Sequence, residues 1–296
     1  MGLHRTISQF LKGATALALA AGLAGPAAAK AAAPFCDRAC LTGVMQAYLA
    51  ALVKHSPRGL PVAATLKAGE NVQAVKLGDS DAWRQVSKVY PGFLLADPST
   101  GEVISAGAAD GPDGVAALLV RLQVKNRRIT ESEIIFNHGK PGRTFQPEQL
   151  IEADLIYDAV VPPPRRSTRA GILRLVDGYL EALSKHDDKQ TVFGYRCDRF
   201  AMGAKTTNNR DFGSGARPCP EGMNTVTGQT VVNRRFPVID VARGVGVAMF
   251  YIPHNERPPA YANYVGEIFK VVDGKIRSIE EFSIQTAYPP KPVFGE

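Results

Sequence analysis

The sequence predicts an α+β protein in which one module is written twice. Three observations carry this. The stretch Tyr48-Leu49-Ala50-Ala51-Leu52-Val53-Lys54-His55 recurs 131 positions later as Tyr179-Leu180-Glu181-Ala182-Leu183-Ser184-Lys185-His186, with six of eight residues identical. Residues 122–133 align without a gap on residues 269–280. In each copy a helical pattern comes first and a run of short strands follows, the order of an α+β unit with helices on one face of a curved sheet. A chain of 296 residues with 45% apolar content has enough material for two cores.

The first 29 residues read as a secretory signal. His4, Arg5 and Lys12 give a positive start, Ala14 to Leu23 is an apolar run too short to span a bilayer, and Ala27-Ala28-Ala29 places cleavage before Lys30. Removing Arg5 and Lys12 from the formal charge of +7 leaves a mature charge of +5. The cations are scattered, with only the pairs Arg127-Arg128, Arg165-Arg166 and Arg234-Arg235, so no nucleic-acid patch is expected. No later stretch is apolar enough for a membrane helix. The expected address is periplasmic or secreted, with no membrane insertion after signal cleavage. Cys36 follows Phe35 rather than a small residue, which argues against a lipid anchor. Four cysteines, Cys36, Cys40, Cys197 and Cys219, suit an oxidising compartment as disulfides. They allow three pairings. The local one, Cys36–Cys40 with Cys197–Cys219, is the expectation.

After the signal, a helix is expected from Asp37 to Lys54, with Leu41, Val44, Met45, Tyr48, Leu49 and Leu52 on one face. Leu60 to Ala68 reads as a second short helix, Val72 to Leu77 as an alternating segment, and Asp81 to Lys88 as a helix bearing Trp83, the only tryptophan. Strands follow at 93–96, 103–107, 115–125 and 129–138, separated by turns rich in Pro, Gly, Asp and Asn. The segment 141–166 ends in Val161-Pro162-Pro163-Pro164-Arg165-Arg166, a stiff polyproline-like linker. A helix capped by Ser167 or Thr168 then runs to Lys185 with the same apolar face. Val192 to Arg199 and the Asn/Gly-rich loop 206–222 come next, and strands resume at 229–239, 245–252, 261–272 and 276–285, the last two joined by an Asp273-Gly274 hairpin turn.

A helix ending Tyr-Leu-x-Ala-Leu-x-x-His, a short second helix, and a final strand pair around Val-x-Asp-Gly-Lys-Ile resemble the NTF2-like superfamily, including SnoaL-like cyclases and ketosteroid-isomerase-like proteins. The start Cys36-Asp37-Arg38-Ala39-Cys40-Leu41 and the run from Arg234 to Asp240 resemble uncharacterised exported tandem members. The resemblance implies two cone domains, at 34–140 and 167–290, joined by the 141–166 linker and packed as an internal pseudo-dimer. The product is then a monomer, or a higher homo-oligomer. In ketosteroid-isomerase-like members a first-helix tyrosine donates to a developing enolate, which points to Tyr48 and Tyr179. The isomerase's base motif is not matched: Val75-Lys76-Leu77 and Met202-Gly203-Ala204-Lys205 stand near its place without an acid.

Glu267 is the main candidate for chemistry, because it sits among apolar residues from Tyr264 to Val272, where a carboxylate has a raised pKa. The structural alternative is a cross-strand ion pair with Arg234 or Arg235. Arg121 is one register position from the corresponding place in the first half, so the copies differ where a site is expected. Val245 to Ile252 is apolar on both faces, one for helices and one for a cavity, with Tyr251 and His254 at the mouth. Trp83 is core or a pocket floor. Tyr48 and Tyr179 pack on helices and aim their hydroxyls inward. His55 and His186 read as helix caps, and His138 as a loop residue. Tyr179 and Glu267 are thus the expected catalytic pair, and Tyr48, Trp83, Arg121, Arg234, Tyr251 and His254 the expected pocket residues. The sequence has no Gly-rich phosphate loop, Gly-x-Ser-x-Gly or His-Glu-x-x-His, which argues against nucleotide enzymes, common serine hydrolases and zinc peptidases. Without Cys-x-x-Cys or ligand-spaced histidines no metal is expected, and no cofactor. The leading expectation is an exported protein binding a small apolar molecule. The alternatives are a cofactor-free lyase, isomerase or cyclase on an apolar or aromatic substrate, and an interaction module with filled cones.

Overall fold

Two sheets with the same strand order make up the protein. The computed structural model describes residues 35–90, 92–152, 156–185, 193–212, 217–223, 230–254 and 259–294. The expected signal segment, His186 and part of the 206–222 loop lie outside the described residues. The first half runs α1 (Arg38–Val53), β1 (Val62–Glu70), β2 (Gln73–Ala74), α2 (Asp81–Gln85), β3 (Lys88–Val89), β4 (Phe93–Asp97), β5 (Glu102–Gly111), β6 (Gly114–Lys125) and β7 (Arg128–Asn137). The second runs α3 (Arg169–Lys185), β8 (Phe193–Ala201), β9 (Ala204–Lys205), α4 (Cys219–Met223), β10 (Val232–Arg235), β11 (Ile239–Asp240), β12 (Val245–His254), β13 (Tyr261–Val272) and β14 (Lys275–Ala287).

The first sheet is ordered β2-β1-β7-β6-β5-β3, with β4 also on β5; the second is β9-β8-β14-β13-β12-β10, with β11 also on β12. Both are mixed, because β1 runs parallel to β7 and β8 parallel to β14. The arrangement is α+β, rich in sheet and poor in helix. Two sequence expectations are corrected. The segment Leu60 to Ala68, expected as a helix, enters β1 at Val62: pairing with β7, far along the chain, outweighs the helix propensity of Ala and Leu. For the same reason the sheets are not purely antiparallel.

α1 starts where the sequence signals it. Asp37 caps the helix by accepting from Cys40 N at 2.9 Å. Leu41, Met45, Tyr48 and Leu52 then fall on one buried face. The helix ends at Val53 with Lys54 as its C-cap, and His55 follows at φ +52°, its Nδ1 2.7 Å from the Trp83 carbonyl. The Cys36–Cys40 and Cys197–Cys219 disulfides are both formed.

A shared bulge fixes register in each closing hairpin. Val124 N–H donates to Gly101 O at 2.7 Å, and Val271 N–H to Gly244 O at 2.6 Å. Both glycines have positive φ, and a Cβ at either would collide with the valine carbonyl, so only glycine fits. With the bulges matched, 120 corresponds to 267 and 134 to 281. The parallel strands match too, since Ala68 sits beside Ser132 as Arg199 sits beside Ile279.

Strand alternation gives each sheet two buried faces. One face packs on its own helix: α1 and Trp83 cover the first sheet, α3 the second. The other faces share one core, in which Leu95, Leu119 and Ile135 meet Met249, Tyr264 and Ile268. Gly266 permits close approach, as its missing Cβ faces Leu119 and Ile135. Among the described residues three ion pairs cross the boundary, one of them from Arg235 to Glu133 and two at helix starts. Arg169, at the start of α3, lies 2.6 Å from Asp97 at the end of β4. Arg38, at the start of α1, lies 2.8 Å from Asp240 at the end of β11, close but off the hydrogen-bond axis.

The segment between the halves packs into the fold ahead of its proline run. Phe145, Leu150 and Tyr157 are buried in the shared core, Tyr157 against Phe93 and Ser278. Lys270 fixes the same segment by donating to Ala159 O at 2.6 Å.

Candidate functional site

On β13, Val265, Glu267 and Phe269 face α3, while Tyr264, Gly266 and Ile268 face the other sheet. Glu267 pairs with Ala248 on β12 and Glu281 on β14. Tyr179, two turns before the end of α3, sits above it, wedged edge-on against Phe193 and Phe269. Its hydroxyl donates to Glu267 Oε1 at 3.4 Å. Arg199 reaches in from β8, with Nη2 3.3 Å from the same oxygen and in an ion pair with Glu281. The cluster grades from interior to surface: the Glu267 side chain is 1% exposed, that of Glu281 18% and that of Arg199 26%.

Burial is the largest influence on Glu267. The Arg199 charge opposes it and the Glu281 charge adds to it, and the carboxyl is pushed up to about 7. Burial, then the Glu267 charge, raise the Tyr179 hydroxyl far above the ordinary tyrosine range, so it stays protonated. The arrangement therefore offers a proton-exchanging carboxyl, a fixed O–H donor and a cation within one cluster.

The corresponding places in the first half are Val120, Ile134 and Ala68. There Tyr48 OH lies 2.6 Å from Ser132 Oγ and accepts from Trp83 Nε1 at 3.1 Å. Both rings are buried and meet edge-on. Trp83 and Tyr48 fill this interior. At its outer end Val62, Leu66, Ala68 and Leu77 border an open cavity of about 580 Å³, with Arg58 and Lys76 beside it.

The other expected pocket residues go elsewhere. Arg121 faces the opposite sheet, bonded to Glu102 at 2.7 Å, Glu131 at 2.8 Å and Glu133 at 3.1 Å. A one-residue register step reverses a strand's face, which is why Arg121 leaves the helix side. Tyr251 also lies on the sheet–sheet face, its ring tilted against Tyr264, so this face of β12 meets the other sheet rather than a cavity. Arg234 holds α3 through Asp177 at 3.1 Å and Glu181 at 3.0 Å. Arg235 crosses to Glu133 at 2.7 Å. Neither arginine meets Glu267; Arg199 does. His254 stacks on Tyr261 at the end of β12, away from the cluster. Tyr179 and Glu267 are brought together, as are Tyr48 and Trp83. Arg199 and Glu281 escape a sequence reading. Counting alternate residues back from the Asp273-Gly274 turn points Glu281 at Glu267 only once the bulge is known. Among the described residues no group of three His, Cys, Asp or Glu side chains is placed to hold a metal ion, and no helix is long and apolar enough to cross a membrane.

Comparison with known proteins adds little to this geometry. A family model described as "Domain of unknown function (DUF8021)" matches residues 165–283, the second half of the chain. No curated protein matches. Solved structures that match include a hexachlorocyclohexane dehydrochlorinase (LinA) Type2, at 15% identity and a TM-score of 0.28, covering 43% of this chain and 93% of that one.

Proposed function

We propose that the second half binds a small molecule against Tyr179, Glu267, Arg199 and Glu281, and that Glu267 moves a proton there. One observation carries this reading: a fully buried carboxyl, pushed up to about 7, lies 3.4 Å from a tyrosine hydroxyl. A group half-protonated near neutrality both donates and accepts protons, the condition for general acid–base chemistry. Tyr179, held protonated, donates to an oxygen that gains charge. Arg199, the most exposed member, supplies positive charge on the approach. The reaction class is proton transfer on an apolar or aromatic molecule, as in an isomerisation, elimination or cyclisation.

In this reading the halves, 34–140 and 167–290, are NTF2-like cones paired as an internal pseudo-dimer across 141–166. Arg38 and Arg169 each stand ten residues before the repeated tyrosine. Asp97 and Asp240 hold corresponding places before the bulged hairpins. Each arginine meets the other half's aspartate, the reciprocity of a two-fold interface. Export rests on the signal-like 1–29 segment and fits the two disulfides. A second reading, binding without chemistry, draws support from the open apolar cavity at the end of the first half.

Native mass spectrometry of the exported protein tests the assignment. A co-purifying small molecule that is lost in Tyr179→Phe with Glu267→Gln, while Leu66→Asp retains it, supports the second-half site. Loss in Leu66→Asp alone favours the first-half cavity and contradicts the proposal.

A further inference from the structure

A separate site lies on the face of the second sheet turned away from α3. There the segment between the halves crosses the β13–β14 hairpin and leaves a cavity of about 320 Å³. Its apolar wall is made by Ile156, Val160, Val161 and Val272. Val160 is 63% exposed, a large apolar side chain left in solvent beside the buried Val161. Four cations line the same cavity: Arg165, Arg196, Lys270 and Arg277. Asp273 lies at the rim, 2.7 Å from Arg165 and 3.8 Å from Arg277. Lys270 is 2% exposed, and its ammonium is pinned by the carbonyls of Ala159 and Arg243, both at 2.6 Å. The positive charge is therefore built into the wall.

We propose that this cavity binds a monomeric anionic amphiphile, a carboxylate head on an apolar chain. Planar guanidinium groups match a carboxylate in two-pronged geometry, and Arg196 and Arg277 flank the apolar wall from the β8 and β14 sides. The chain covers Val160 and Val272, removing apolar surface from water. One acid, Asp273, stands against the guanidinium groups of Arg165 and Arg277, so the rim keeps a net positive charge with Arg196; a neutral chain gains nothing from it, and a cationic one meets like charge. The site is independent of the acid–base cluster, because Glu267 and Lys270 point to opposite faces of β13.

Calorimetric titration of the full chain with decanoate, decanol and decyltrimethylammonium, all below their aggregation limits, tests this. Decanoate binds one to one, decanol at least tenfold more weakly, and the cation not at all. The exposed-site variants Arg196→Glu and Val160→Asp each weaken decanoate at least tenfold, while Glu267→Gln leaves it unchanged. Equal binding of anionic and cationic chains overturns the proposal. So does decanoate affinity untouched by both variants, or binding to anionic lipid vesicles without binding of monomeric decanoate.

Discussion

The two halves share strand order, bulge and helix placement, yet differ at three matched positions. Ala68, Val120 and Ile134 in the first become Arg199, Glu267 and Glu281 in the second. The tyrosine above them is common to both, but it meets Ser132 and Trp83 in one half and Glu267 in the other. A fold written twice is thus free to keep one interior dry and load the other with charge. Burying a lone carboxylate is strongly unfavourable, and the second half tolerates Glu267 by raising its pKa and setting Arg199 beside it.

Trp83→Ala gives the largest expected change. It empties the first-half interior and removes the donor to Tyr48, so denaturant unfolding should show a loss of about 3–5 kcal/mol. A loss below about 1 kcal/mol would mean that this half is not the packed scaffold described. Next is the Cys197–Cys219 pair. Its sequence separation is 22 against 4 for Cys36–Cys40, so replacing both cysteines by serine should cost about 3 kcal/mol, more than the same change at the short loop. Equal losses would show that loop length is not the operative term.

The third prediction concerns pH. The Glu267 carboxyl titrates near 7 when folded, above the ordinary glutamate value of about 4.3. Between those values the folded protein holds a proton that the unfolded chain has released. Its stability therefore falls as pH rises from about 4.3 to 7 and levels off above, by at most about 4 kcal/mol. Glu267→Gln should flatten that slope, whereas Val120→Gln in the first half should leave it in place. A wild-type slope of opposite sign in urea melts across this range would contradict the assignment.

Much of the fold is legible in local sequence. The 41, 45, 48, 52 spacing sets the α1 face, Asp37 its cap, and Asp273-Gly274 the last turn. That Glu267 lies among apolar neighbours is also readable. What it meets is not, because Arg199 arrives through a parallel pairing of β8 with β14, some 80 residues apart in sequence and shifted by a bulge. The same non-local pairing hides β1 behind helix-forming residues. Arg121 shows how fine the dependence is: one register step turns it from the interior to the other sheet.

The smallest expected effect probes the symmetry of the halves. Asp97→Asn and Asp240→Asn each remove one of the reciprocal ion pairs, and because both arginines are partly exposed the losses should be about 1–2 kcal/mol. Similar values support a two-fold arrangement, and a large effect at one site with none at the other argues against it.

The most direct measurement is a carboxyl titration by carbon-13 NMR with labelled glutamate, the Glu267 signal assigned by its loss in Glu267→Gln. A midpoint near 7 is the predicted result. A midpoint near 4.3, the ordinary glutamate range, would contradict the claim that the second half holds a carboxyl poised for proton transfer.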